Sequence, residues 1–100
     1  MPKLDPAVRA AFLREFPLWR EVPDRDAIAR ALQFADFGEA FSFMTQVALL
    51  AERMDHHPDW TNVYAKLDIT LSTHDAGGVT EKDIAMARAI EGFVGRLGAR

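Results

Sequence analysis

The stretch Val63–His74, VYAKLDITLSTH, carries the pattern on which the reading of the fold turns. Val63, Ala65, Leu67, Ile69 and Leu71 alternate with Tyr64, Lys66, Asp68, Thr70 and Ser72. Strict period two predicts a strand with one face buried and one face wet, as in an antiparallel sheet covered on one side. On that register His74 falls on the wet face with Asp68, Thr70 and Ser72. A turn within Tyr64–Leu67 would instead split the run into a hairpin and break the parity argument. Asp75-Ala76-Gly77-Gly78 reads as a turn.

Helical patterns flank this strand on both sides. Downstream, Thr80 caps a helix with Asp83 at the capping-box position, and its stripe is Ile84, Ala87, Ile90, Val94 and Leu97. Upstream, Asp36 and Glu39 mark the start of a second helix. Its expected apolar stripe is Phe37, Ala40, Phe41, Met44, Val47, Ala48, Ala51 and Met54, and Pro58 requires it to stop at or before His57. A first helix begins at Asp5-Pro6, shows Val8, Ala11, Phe12 and Phe16 at helical spacing, and ends at Pro17. Trp19–Val22 reads as a short strand before a turn at Pro23-Asp24. The segment Asp26–Ala35 is ambiguous. Ile28, Ala31, Leu32 and Ala35 fit a helix, Ile28, Leu32 and Phe34 share strand parity, and local propensity tips it slightly toward helix. With no βαβ alternation, the pattern indicates an α+β domain with helices on one face of an antiparallel sheet.

At 100 residues the chain is expected to form a single domain over residues 1–100. It has no cysteine, which removes disulfides, a thiolate nucleophile and cysteine-ligated metal from consideration and suits a cytoplasmic location. A net charge of -3 argues against direct nucleic-acid binding, which needs a basic face. No apolar run approaches the roughly 20 residues of a membrane span, and the first residues do not resemble a signal peptide.

All three histidines, His56, His57 and His74, lie between Glu52 and Asp75. Histidine can give or take a proton near neutrality, so this clustering points to proton transfer. Plainer readings exist for each residue. One of the His56–His57 pair can serve the helix C-terminus, His74 can be a polar strand end, and Trp60 can be a packing residue. Glu52 lies one helical turn before His56 and could reach that imidazole. Asp83 can be a first-turn acid favoured by the helix dipole. A three-histidine zinc site is a weaker alternative, because no His-Glu-x-x-His spacing is present and neighbouring histidines rarely share one ion. A Ser-His-Asp triad has no nucleophile-elbow motif behind it.

The segments Ala51-Glu52-Arg53-Met54-Asp55-His56-His57-Pro58-Asp59-Trp60, Asn62-Val63-Tyr64 and Leu67–His74 closely resemble the pterin-4a-carbinolamine dehydratases. The likeness continues through Gly78, Thr80 and Asp83, and upstream through Ile28-x-Arg30, Phe34-x-Asp36-Phe37 and Val47-Ala48. Leu18 and Leu32 depart from the residues common in that family. The resemblance implies a four-stranded antiparallel sheet with three helices on one face in the order α-β-β-α-β-β-α. It therefore implies that Ala27–Ala35 is a strand, against the local propensity. It further implies a hydro-lyase that dehydrates 4a-hydroxytetrahydropterin without a cofactor or metal, recycling the tetrahydropterin used in aromatic amino acid hydroxylation. By motif position His56, His57 and His74 are the expected catalytic residues, and Glu52, Trp60, Thr73 and Asp83 are expected to line or support the pterin pocket. The family also implies a homodimer or homotetramer and a small-molecule pterin partner. Some animal members bind a homeodomain transcription factor, so a binding module acting on a protein partner is the competing class.

Overall fold

The computed structural model describes residues 1–97. The expected domain boundary at Arg100 therefore lies outside the described residues. The elements are α1 (Pro6–Glu15), β1 (Arg20–Glu21), β2 (Ile28–Gln33), α2 (Phe37–Met54), β3 (Asp59–Val63), β4 (Lys66–Leu71), a 3-10 turn (His74–Ala76) and α3 (Glu81–Leu97). This is the expected α-β-β-α-β-β-α order. The strands form one antiparallel sheet in the spatial order β1-β2-β4-β3.

Local chemistry starts the helices where the sequence reading places them. The Asp5 carboxylate accepts the Ala7 N–H, and Pro6 occupies the first turn, where a missing N–H costs nothing. Asp36 accepts the Glu39 N–H, while Glu39 reaches back to the Ala35 N–H. Asp55 ends α2 in the left-handed region at φ 50°. The face of α2 that turns inward is Ala40, Phe43, Val47 and Ala51. Phe37 and Phe41, expected in the buried stripe, are exposed, because the stripe is centred on Phe43.

Two further expectations change. Residues 28–33 form a strand, not the helix that propensity favours, because β2 pairs along its whole length with β4, from Ile28 opposite Leu71 to Gln33 opposite Lys66. Tertiary pairing overrides the weak helical preference of its alanines. The continuous strand from Val63 does not exist either. Tyr64 takes φ 53°, and a two-residue turn joins β3 to β4 with Val63 opposite Lys66. The hairpin reverses parity across the turn, so Trp60 and Asn62 share the face of Ile69 and Leu67, while Val63 shares the open face and is exposed.

Within β4 the alternation holds. Leu67, Ile69 and Leu71 are fully buried, whereas Lys66 and Asp68 are exposed. Burying each such side chain stabilises the fold by roughly 1.5–3 kcal/mol. These residues join Phe12, Trp19, Phe43, Val47, Met86 and Ile90 in one hydrophobic cluster between the sheet and the helices. Arg30 is also on this face, 3% exposed. Its Nε donates to Glu91 Oε2 at 2.7 Å, and Trp19 Nε1 donates to the same oxygen at 3.1 Å.

Candidate active site

The left-handed turn at Asp55 sets the two adjacent histidines on different paths. The His56 N–H reaches back to the Ala51 carbonyl, which closes the end of α2, and Pro58 then carries the chain into β3. The His56 side chain turns inward and is buried, while that of His57 stays exposed. The third histidine arrives from the far end of β4. Thr73 and Gly78 pair across the base of a tight turn, and His74 opens that turn. It is therefore a turn residue and not the end of a strand. His56, His57 and His74 all line one open cleft of about 240 Å³, together with Ser72, Thr73 and Lys82. Asp55, Asp59 and Asp75 complete its polar wall.

Behind the cleft lies a buried polar cluster centred on Asp83, which is fully buried. Its Oδ1 lies 2.6 Å from His56 Nε2, and its Oδ2 accepts the Thr80 N–H at 2.9 Å and the Thr73 hydroxyl at 2.8 Å. The Thr73 and Thr80 hydroxyls are 2.7 Å apart. An ionised carboxylate only accepts, so Thr73 spends its single proton on Asp83, and the Thr80 hydroxyl must donate to Thr73. Thr80 in turn accepts the Lys82 N–H at 3.3 Å. By the same logic His56 Nε2 carries hydrogen and donates to Asp83. No buried side-chain nitrogen or oxygen among the described residues lacks a partner, and His56 bonds only through Nε2. Its Nδ1 therefore stays accessible to solvent, and the residue itself lines the cleft.

Glu52, expected to reach His56, accepts from His57 Nε2 at 2.8 Å instead. The reason is the break at Asp55, which takes His56 off the helical path and gives it to Asp83. This second pair is exposed, with side-chain exposures of 57% for His57 and 77% for Glu52. Trp60 does not line the histidine cleft. It is half-buried on β3, opposite Ile69, and packs against the hydrophobic cluster. Lys82 and Ser72 line the cleft although the sequence reading does not single them out. The signal available for Lys82 is its place beside Asp83 in the first turn of α3. Among the described residues no group of three or more histidine, aspartate or glutamate side chains is arranged to hold a metal ion. Two of the three imidazoles already have carboxylate partners.

A four-stranded α+β sheet with a histidine-lined cleft at the end of α2 defines the structural class. Comparison with known proteins agrees with it and narrows it. The description pterin 4 alpha carbinolamine dehydratase matches residues 2–93. A Burkholderia cenocepacia (strain HI2424) protein, carrying the provisional name pterin-4-alpha-carbinolamine dehydratase, is 59% identical over 90 residues, covering 90% of this chain and 88% of that protein. A Rhodopseudomonas palustris (strain HaA2) protein with the same provisional name is 54% identical over 90 residues, or 90% of this chain and 89% of that one. Among solved structures, a transcriptional coactivator/pterin dehydratase from Brucella melitensis superimposes with a TM-score of 0.87 at 46% identity, covering 91% of this chain and 97% of that chain. A pterin dehydratase-like RuBisCO assembly factor of the alpha-carboxysome shares the fold, with a TM-score of 0.67 at 22% identity over 77% of this chain and 89% of that chain. The chain belongs to the pterin 4 alpha carbinolamine dehydratase family, and by class it is a hydro-lyase. No helix among the described residues is long and apolar enough to cross a membrane.

Proposed function

We propose that this chain, acting as one domain in the cytoplasm, dehydrates a 4a-hydroxytetrahydropterin to the quinonoid dihydropterin by histidine acid–base catalysis. The observation that carries this reading is the convergence of His56, His57 and His74 on one cleft, with the first of them oriented by buried Asp83. The reaction breaks the C4a–O bond, removes the proton on N5 and forms the C4a–N5 double bond. The hydroxyl leaves as water only if it receives a proton. One imidazole accepting the N5 proton and another protonating the hydroxyl would balance the step. Elimination of water changes no net oxidation state, so its chemistry calls for no redox partner. Positioned acid–base groups of this kind contribute about 10²- to 10⁴-fold in rate.

Each site residue has a role in this reading. His57 and His74, exposed at the mouth of the cleft, exchange protons with substrate and solvent. His56 presents Nδ1 to the substrate while Asp83, itself held by the Thr73 hydroxyl and the Thr80 N–H, fixes its ring. Glu52 steadies His57. Trp60 supports the wall from the core side. The product would re-enter a tetrahydropterin cycle feeding aromatic amino acid hydroxylation. A homodimer or homotetramer is the assembly the family suggests. A partner-binding role is the second reading, and it rests on the coactivator named in the Brucella structure, which is 46% identical to this chain.

Ultraviolet-monitored dehydration of freshly generated carbinolamine tests the leading reading. His57→Ala and His74→Ala are each expected to remove most of the activity with the fold retained. Wild-type rates in both variants would overturn the assignment. Stable capture of a protein partner, unaffected by the histidine substitutions and unaccompanied by turnover, would favour the binding module.

A further inference from the structure

His74 differs from its two companions in how it is held. His56 and His57 each have a carboxylate on Nε2, whereas the His74 side chain takes part in no hydrogen bond among the described residues. No such bond fixes its ring, and its backbone is placed by the turn that it opens. That turn stands on two stems, Ser72-Thr73 on one side and Gly78-Val79 on the other. The stems are joined by Thr73 N–H to the Gly78 carbonyl at 2.9 Å and by Gly78 N–H to the Thr73 carbonyl at 3.3 Å.

One residue outside the cleft grips both stems. Asp26, in the connection between β1 and β2, accepts the Ser72 hydroxyl on its backbone carbonyl at 2.9 Å and the Val79 N–H on Oδ1 at 3.2 Å. Its carboxylate is itself anchored. Arg9 Nη1 of α1 donates to Oδ1 at 2.5 Å, and Lys3 Nζ lies 3.5 Å from Oδ2. Arg9 is fixed in turn by the Glu21 carboxylate of β1. Gly78 lies so close to Asp26 that a Cβ added there would overlap the carboxylate. The Val79 carbonyl also accepts the Leu4 N–H, so the N-terminal segment holds one stem, but Asp26 reaches both.

Resting on the catalytic reading above, we infer that Asp26 is a positioning residue for His74, clamping the two stems of its turn to α1 through Arg9. The reaction needs His74 within proton-transfer reach of a substrate seated against His56 and His57. A displacement of about 1 Å in such a group costs up to about 100-fold in rate. The hydrogen bond from Arg9 holds the Asp26 carboxyl below the usual carboxylate range, with the Val79 N–H adding to the effect against the opposing influence of burial. The clamp is therefore charged at neutral pH.

The test uses Asp26→Ala, Asp26→Asn and Gly78→Ala in the full chain. Asparagine keeps an oxygen for the Val79 N–H, alanine at 26 removes it, and alanine at 78 pushes the carboxylate away. Asp26→Ala and Gly78→Ala are expected to lower kcat by about 10- to 100-fold with a smaller change in KM, and Asp26→Asn to restore most of the loss. The His74 ring resonances in proton NMR should move in the first two variants and return in the third. A lower melting temperature with kcat and the His74 resonances unchanged would overturn the inference, since that is the signature of a structural role alone. Should Asp26→Ala not fold, Gly78→Ala decides between the same two outcomes. Absence of dehydration by the wild-type chain would sink the catalytic reading instead, and the His74 resonances would still decide whether Asp26 places that ring.

Discussion

Asp83 Oδ1 stands 2.6 Å from His56 Nε2, although 27 positions separate the two residues, and Oδ2 of the same carboxylate closes the first turn of α3 by accepting the Thr80 N–H. One buried group thus starts a helix and fixes an imidazole. The helix start is a local matter that any capping box achieves. Fixing the imidazole through Nε2 decides which ring nitrogen carries hydrogen and leaves Nδ1 as the acceptor.

Asp83→Asn tests that division of labour. The amide retains one oxygen, which serves best on the side of Thr73 and Thr80, where two donors converge. Its NH2 then faces His56 Nε2 and demands the other tautomer, turning Nδ1 from acceptor to donor. The expected result is a loss of kcat on the order of 10²-fold or more. Stability should fall by only about 1–3 kcal/mol. Nitrogen-15 shifts of the His56 ring check the tautomer, and an unchanged tautomer with full activity would contradict the assignment.

The pair His57–Glu52 makes a contrasting case. Both side chains are more than half exposed, so the interaction is screened and contributes less than about 1 kcal/mol to stability. Glu52→Gln should leave the urea midpoint nearly unchanged. It should lower kcat/KM a few-fold, and raising the salt concentration should shrink the difference between variant and wild type. A large stability loss would mean that Glu52 has a structural partner not seen in the exposed pair.

Acid stability follows from Asp26. Hydrogen bonding from Arg9, and then from the Val79 N–H, keeps its folded-state pKa below the ordinary 3.8, with burial opposing the shift. A depressed carboxylate contributes stability that is present above the ordinary value and is lost as pH falls through the folded-state value. Arg9 does not offset this, because its own pKa is raised. Burial works against that shift, and the hydrogen bonds to Glu21 and Asp26 outweigh it. Urea melts should show stability declining from about pH 5 downward, with a shallower decline in Asp26→Asn. The Asp26 side chain is 34% exposed, so solvent screening keeps the difference small. Equal slopes in the two proteins would remove Asp26 from the account.

The contrast between what the sequence shows and what it hides has a physical basis. The alternation over residues 66–71 and the caps at Asp5, Asp36 and Thr80 are local, and each is legible directly. Residues 28–33 are not, because alanine-rich segments take their state from the strand they pair with, and β4 lies more than thirty residues away. Strict alternation puts Val63 on the wrong face because one residue, Tyr64, adopts a left-handed conformation that no composition rule requires. The histidines draw attention by type, and the family resemblance groups them. Helical spacing pairs Glu52 with His56, whereas the structure gives Glu52 to His57, because a single residue, Asp55, breaks the helical path between Glu52 and His56. Trp60 carries a pocket expectation by motif position, yet strand parity turns it toward the core.

Arg30 interrupts an apolar set in the sequence and lies on the buried face of β2, which makes Glu91 its obligatory counter-charge. Removing one member of a buried ion pair leaves an uncompensated charge, which typically costs about 3–5 kcal/mol. Glu91 keeps 18% side-chain exposure, so Glu91→Ala belongs near the lower end, and it also deprives the Trp19 indole N–H of its acceptor. The melting temperature should drop by roughly 10 °C or more, since about 1 kcal/mol moves a domain of this size by some 4–8 °C. The double change Arg30→Met with Glu91→Leu removes both charges and fills the space, so it should recover much of the loss. Recovery in the double variant attributes the cost to the stranded guanidinium. A double variant no more stable than Glu91→Ala would show instead that the pair, together with Trp19, holds α3 against the sheet through geometry that apolar side chains cannot supply.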